Sequence, residues 1–481
     1  MDLLNLVAGK WIEGSGAPFT DTNPARPDET VASGRHASVP EVLDAIAAAD
    51  AAAPAWAATP HHARAAVLTA AAEIIDRNAD AWGRELTREE GKTLPEAVAE
   101  VRGAARIIRY YANEADRESG EIYASPRPGE NLLVVRRPIG VAGVITPFNF
   151  PIAIPAWKIA PALTYGNTVV WKPSSLVPLL ALRLAQAFVE AGLPDGVLNL
   201  VFGEGDIGTT IVDHSDVDAV SFTGSTSVGR AVIARCGELG KPVQTEMGGK
   251  NASVVLADAD LDHAAAQVVA GAFRSTGQKC TATSRLIVQS DVADDLLRRV
   301  ARRAEEFVVG DPLRDGVHMG PLVSAAARDR VSAGVRRALD QGATPVAGGT
   351  PYADGDLAAG WFTPPTVLDL PSTGVDFWRE ELFGPVVGVL RAETPEEALS
   401  LVNHSDHGLS AAIFTRDLGV ALKAVEHVEV GVLHINSESA GTFPWVPFGG
   451  RRQSGYGPKE QGRAAREFFT HTVTVYLGAP G

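Results

Sequence analysis

Cysteine is almost absent from this chain, with Cys236 and Cys280 the only two among 481 residues. That excludes a disulfide-stapled fold, fits a reducing compartment, and leads us to expect a cytoplasmic protein in which a thiol can stay free. Basic charge is also short: 43 Lys and Arg face 58 Asp and Glu, for a formal net charge of −15. A nucleic-acid partner would need clustered, unopposed cations, so no such partner is expected. Long apolar runs are missing as well. The most apolar later stretch, 151–163, is broken by Pro155, Lys158 and Pro161, and it falls short of the ~20 residues that cross a bilayer. The first residues carry Asp2 and no basic segment, unlike a secretory leader, so no membrane partner is expected either.

What is present is ordinary globular material. Hydrophobic residues make up 45% and charged residues 21%, enough to build large cores, and the length predicts two large units plus an appendage. The Ala-rich segments 43–58 and 64–75 predict helices, and the N-terminal region reads as mainly helical. From about residue 167 the pattern changes. Strands are expected at 168–171, 197–202 and 217–222, alternating with helices at 178–191, 207–214 and 227–236. Such alternation predicts an α/β fold with a parallel, doubly wound sheet, the usual frame for a nucleotide. A second α/β unit follows, with a strand at 253–256, a helix at 261–273 and a strand at 285–288. Two strand-like stretches, 131–136 and 471–477, have no sequence neighbour to pair with, and we expect them to form an oligomerisation arm in a homodimer or a dimer-of-dimers tetramer.

Several short segments carry chemistry. Phe222-Thr223-Gly224-Ser225 runs from a strand into a helix; Gly224 permits a tight turn and Ser225 caps a helix start that could face an anion, or simply closes a turn. Cys280, in Gly277-Gln278-Lys279-Cys280, lies in a polar break rather than an apolar run, where Lys279 could lower its pKa. Cys236 ends an apolar helix and reads as core. Glu246 ends a strand before Gly248-Gly249 and is either a general base or a solvated loop acid. Asn149, bracketed by Pro147 and Pro151, is an oxyanion donor or an Asx turn. Lys172 follows a strand at the edge where doubly wound sheets bind ligands. Glu381-Leu382-Phe383-Gly384 sets an acid beside an aromatic. No metal is expected.

Together these segments resemble the aldehyde dehydrogenase superfamily over about residues 7–475. Residues 147–172 resemble its Pro-aromatic-Asn-Phe-Pro through Lys-Pro signature, 222–229 its cofactor turn, and 246–250 its Glu-Leu-Gly-Gly-Lys run with Met247 for Leu. Residues 273–280 resemble the nucleophile motif, 381–386 Glu-x-Phe-Gly-Pro-Val, and 447–454 the Pro-Phe-Gly-Gly run. The resemblance implies a Rossmann-like cofactor domain (1–118 and 139–248), a catalytic domain (249–447), and an arm with a tail (119–138 and 448–481). It implies oxidation of an aldehyde to an acid by NAD or NADP, with Cys280 as nucleophile, Asn149 as oxyanion donor, Glu246 as base, and Lys158 and Glu460 as proton exit. An extra residue in Gly457-Pro458-Lys459-Glu460 would displace Glu460. Cofactor contacts implied are Thr146, Pro147, Phe148, Lys172, Ser174, Ser175, Gly224, Ser225, Gly229, Met247, Gly248, Glu381 and Phe383. Ser175 stands where NAD-selective members carry Glu, so NADP is expected to be accepted and even preferred. Arg274, with Phe150, is implied in substrate binding, and the strings 273–285 and 447–462 resemble the 2-oxoglutarate semialdehyde (2,5-dioxopentanoate) dehydrogenase branch. A broad-specificity aldehyde dehydrogenase and a CoA-acylating semialdehyde dehydrogenase are the alternatives.

Overall fold

The computed structural model describes residues 1–117 and 120–478. Its first large sheet has eight strands. Five are parallel, in the spatial order Val243–Glu246, Ala219–Thr223, Val141–Ile145, Thr168–Lys172, Leu198–Leu200. These strands are apolar on both faces because helices cover both, the reason near-continuous β-branched runs such as Val169-Val170 form buried parallel strands. Antiparallel edges close the sheet: Asn5–Val7 and Lys10–Ile12 on one side, Gly455–Tyr456 on the other.

The second sheet has seven strands, in the order Thr344–Ala347, Thr366–Asp369, Val386–Ala392, Thr283–Gln289, Asn251–Val255, Ser410–Phe414, Val432–Ile435, with only the first antiparallel. The helix Leu261–Phe273 connects two of its central strands and coincides with the helix read from the sequence.

The expected mainly helical N-terminal region is observed in four helices, Val39–Ala58, His61–Arg77, Ala79–Glu90 and Leu94–Ala112, but strands not read from the sequence come before them. Five strands precede the first long helix, and Pro18–Asn23, Arg26–Arg35 and Asp2–Leu3 make a separate three-stranded sheet. Their alternation is imperfect, with register shifts at Asp21 and Thr22, so no clean two-residue period marks them. The two orphan strands pair with each other: Thr470–Leu477 runs antiparallel to Asn131–Pro138, and Gly120–Ala124 adds a third strand. Ile122, Tyr123, Tyr476 and Leu477 on this sheet are exposed. No helix among the described residues is long and apolar enough to cross a membrane.

Candidate active site

Parallel strands deliver all their carboxyl ends to one edge, and in the first sheet four of the five ends lead into expected site segments. Val141–Ile145 leads to Thr146, Pro147, Phe148 and Asn149; Thr168–Lys172 to Ser174 and Ser175; Ala219–Thr223 to Gly224 and Ser225; Val243–Glu246 to Met247 and Gly248. Strand order reverses beside Val141–Ile145, which opens a crevice there. A groove of about 460 Å³ lies along it, lined by Ile145, Lys172, Gly208, Phe222, Val228 and Val232 among others. Burial lowers the Lys172 pKa, against the opposing pull of Glu204 and Asp206. The Ser225 hydroxyl accepts the Val228 N–H at 3.5 Å, capping the helix Thr226–Leu239. Two glycines are sterically required: a Cβ at Gly224 would come within 2.5 Å of the Phe222 ring, and one at Gly229 within 2.4 Å of Met247 Sδ. An apolar floor, one lysine and a helix N-terminus capped by the Ser225 hydroxyl fit the adenosine and pyrophosphate of a dinucleotide.

The nucleophile loop follows the helix Leu261–Phe273. Ser275, Thr276 and Gly277 adopt φ of 52°, 55° and 64°, and two consecutive left-handed residues with side chains persist only where surroundings enforce them. The Ser275 N–H donates to Glu96 Oε1 at 2.9 Å, and Thr276 Oγ1 to the Gly320 carbonyl at 3.2 Å. At Gly277 a Cβ would come within 2.4 Å of the Gly384 carbonyl oxygen. Beyond this turn the Asn149 side-chain amide donates to the Gln278 carbonyl at 2.9 Å. From the other side Asn251 Nδ2 donates to the carbonyls of Cys280 at 2.7 Å and Ala282 at 2.9 Å, while Asn251 Oδ1 accepts the Ser410 N–H. The backbone around Cys280 is therefore clamped by two asparagines. Asn251 escaped the sequence reading; its signal was a polar residue opening an otherwise apolar strand.

Cys280 is half-buried, following the buried residues 275–279. Its thiol is pushed up to about 12 by burial and by the Glu246 and Glu381 carboxylates, against the N–H groups of Thr281 and Cys280 itself. The expected lowering by Lys279 is corrected: that ammonium turns to the Ala270 carbonyl at 3.3 Å and to Glu438, and carboxylates dominate around the sulfur. Cys236 is fully buried on the helix Thr226–Leu239.

Glu246 is 5% exposed and accepts the Gly450 N–H at 3.3 Å. Burial and the neighbouring Glu460 hold its carboxyl well above the usual range, opposed by Lys459 and Lys158. Lys158, equally buried, forms an ion pair with Glu460 and donates to Ser221 Oγ at 3.0 Å. The expected displacement of Glu460 is not observed: it reaches Lys158, and its backbone pairs with Phe448 in both directions at 2.7 and 2.8 Å. Glu460 Oε2 is buried without a hydrogen-bond partner.

On the far side of Cys280, Glu381 Oε1 accepts the Gly249 N–H at 2.9 Å, and burial lifts its carboxyl to about 7. Gly248 leaves room for that carboxylate, since a Cβ there would lie 1.9 Å from Glu381 Oε2. Phe383, at φ 55°, meets Phe148 edge-on at 5.7 Å between centroids. Phe150 carries the Lys92 ammonium 4.2 Å above its ring, and Lys92 also donates to the Asn149 carbonyl at 2.8 Å. Lys92 was another residue the sequence left unmarked. Arg274, with a 58% exposed side chain, lies 3.5 Å from Glu438.

A reachable thiol, a fixed amide donor and a buried carboxylate backed by an ion pair are the parts of acyl transfer through sulfur. Comparison with known proteins agrees. The profile of the "Aldehyde dehydrogenase family" matches residues 11–475. The "Alpha-ketoglutaric semialdehyde dehydrogenase" of Bacillus subtilis (strain 168) is 40% identical over 476 residues, 98% of each chain. The "Alpha-ketoglutarate semialdehyde dehydrogenase" of Haloferax volcanii is 42% identical over 475 residues, again 98% of each. A crystal structure of betaine aldehyde dehydrogenase from Staphylococcus aureus in complex with NAD+ superposes with a TM-score of 0.96 at 32% identity, covering 99% of this chain and 95% of that one.

Proposed function

The chain belongs to the aldehyde dehydrogenase family and carries out NAD-dependent aldehyde oxidation, and from that premise we propose that it converts an ω-oxo acid, such as 2,5-dioxopentanoate or succinate semialdehyde, into the diacid through a thioester on Cys280. The observation that carries the reading is the reachable Cys280 thiol, clamped by Asn149 and Asn251 and close enough to Glu246 to feel its charge.

The thiol gives up its proton to water before sulfur attacks the aldehyde, and the Glu246 carboxyl, held above its usual range by burial, is left as the base for hydrolysis. One Asn149 amide hydrogen is committed to Gln278; the other, with the Cys280 N–H, holds the oxyanion formed when sulfur attacks the carbonyl carbon. When bound, the nicotinamide coenzyme accepts a hydride, and Lys172, Ser225 and Glu381 are the side chains that would hold it. The acyl group then sits on Cys280 as a thioester. Glu246 removes a proton from the water that hydrolyses it, and the Lys158–Glu460 pair passes that proton outward. The buried base favours water over CoA as acyl acceptor, against a CoA-acylating reaction.

Substrate class rests on Arg274, which can hold a distal carboxylate by charge-assisted bonds if it shares itself with Glu438. The names of the two semialdehyde relatives support the same class. At the cofactor, Ser175 removes a repelling carboxylate and supports acceptance of NADP beside NAD, although Glu204 and Asp206 restore part of that repulsion. The exposed arm edges support a homodimer or a dimer of dimers, and the paucity of cysteine supports a cytoplasmic setting.

A screen of aldehydes with and without a terminal carboxylate tests the reading. Carboxylated substrates should lead in kcat/KM. Arg274→Ala should cost them about 10–100-fold, the worth of charge-assisted hydrogen bonds, and leave neutral aldehydes unchanged. Cys280→Ala should abolish turnover of both. Equal losses for both substrate classes in Arg274→Ala would remove that residue from recognition, and turnover surviving Cys280→Ala would end the thioester account.

A further inference from the structure

The segment that lengthens the loop before Glu460 also brings a second lysine behind the base. Lys459 Nζ donates to the Gly449 carbonyl at 2.6 Å and also to the Gly450 carbonyl. These two residues form the turn whose Gly450 N–H bonds the Glu246 carboxylate. Gly449 is the hinge of the contact: a Cβ there would lie 2.2 Å from Glu246 Oε1 and 2.8 Å from Lys459 Cδ, so carboxylate and lysine stem converge on the same open face of one glycine.

We propose that Lys459 is the positioning cation of Glu246: it anchors the Gly449–Gly450 turn through two carbonyls and sets its charge behind the carboxylate, so that the base enters thioester hydrolysis deprotonated. The turn transmits the effect, because an ammonium on the Gly449 carbonyl polarises the peptide unit whose Gly450 N–H faces the base. Three charged groups other than the thiol act on Glu246: Glu460 raises its proton affinity, and Lys158 and Lys459 lower it; Arg451 in turn faces Lys459 from the adjoining strand. Lys158 is already paired with Glu460, whereas Lys459 donates to backbone carbonyl oxygens, so its charge is the one left over for Glu246. The inference rests on Glu246 acting as the hydrolytic base.

Pre-steady-state formation of reduced coenzyme, which reads acylation, and steady-state kcat, which reads hydrolysis, are to be followed against pH in wild type, Lys459→Met, Lys459→Arg and Glu246→Gln. Losing the charge raises the proton affinity of Glu246, so the acid limb of kcat in Lys459→Met should move up by about one pH unit, with kcat at pH 7 down about tenfold. The burst rate should stay within about twofold of wild type, a readout that a collapsed site would not spare. Lys459→Arg should restore the wild-type limb. An acid limb that stays in place in Lys459→Met, or one that Lys459→Arg fails to restore, overturns the proposal. Full turnover in Glu246→Gln would instead overturn the base assignment beneath it.

Discussion

Asn251→Ala probes how much of the active site is held by one buried side chain. Asn251 is 3% exposed and serves three backbone partners: the carbonyls of Cys280 and Ala282, and the Ser410 N–H. Truncation strands all three. At about 1–2 kcal/mol for each buried group left without a partner, the loss sums to about 3–6 kcal/mol, with no compensating gain since the alanine also opens a small void. Part of that energy is recovered only if the nucleophile loop shifts toward water, and a displacement of about 1 Å at a reacting atom costs on the order of a hundredfold in rate. Thermal denaturation and burst kinetics read the two effects separately. We expect a clearly lowered unfolding midpoint, acylation slowed at least about thirtyfold, and coenzyme affinity unchanged, because the groove lined by Lys172 and Phe222 does not touch Asn251. A variant with wild-type midpoint and an acylation rate within about twofold would refute the clamp.

Two further outcomes follow from the electrostatics. Alkylation of Cys280 by iodoacetamide in coenzyme-free enzyme should climb nearly tenfold per unit from about pH 7 to 10 without a plateau, since burial and two carboxylates push the thiol up to about 12; a plateau below pH 9 would show the thiolate to be stabilised instead. Glu204→Gln and Asp206→Asn should each raise kcat/KM for NADP about threefold, leaving NAD within about twofold, because each removes a negative charge facing Lys172 at a solvent-exposed rim; unchanged NADP kinetics would exclude both acids from discrimination.

The first sheet was legible because its strands are short, β-branched and separated by helices of ordinary length; 168–171 and 217–222 are observed at Thr168–Lys172 and Ala219–Thr223. The N-terminal strands were not, since bulges at Asp21 and Thr22 erase the two-residue period. Within the site, motifs named Cys280 and Asn149, on loops, and Glu246, at a strand end, each with glycine or proline a few residues away. Asn251 was hidden because it opens a regular, mostly apolar strand, and Lys92 because it sits in a short polar connection between two helices; only the carbonyls they meet across 29 and 57 residues reveal them. Lys279 misled because adjacency in sequence says nothing of direction, and its side chain leaves the sulfur for Ala270.

The charges divide between the two sheets in a way that explains why the C-terminal run must cross from one to the other. The first sheet supplies Glu246 and the cofactor groove from its strand ends; the second supplies Cys280 from the loop before Thr283–Gln289. Neither sheet alone can bring water, carboxylate and thioester together. Residues 448–460 join them: Arg451–Arg452 pairs with His407–Gly408 beside the second sheet, Gly455–Tyr456 adds to Val243–Glu246 of the first, and Phe448 pairs with Glu460 between. Gly450 and Lys459, which contact or face the base, and Glu460, which meets Lys158, all lie on this one run. A change that loosens its pairing, even one remote from sulfur, therefore acts on hydrolysis before it acts on acylation.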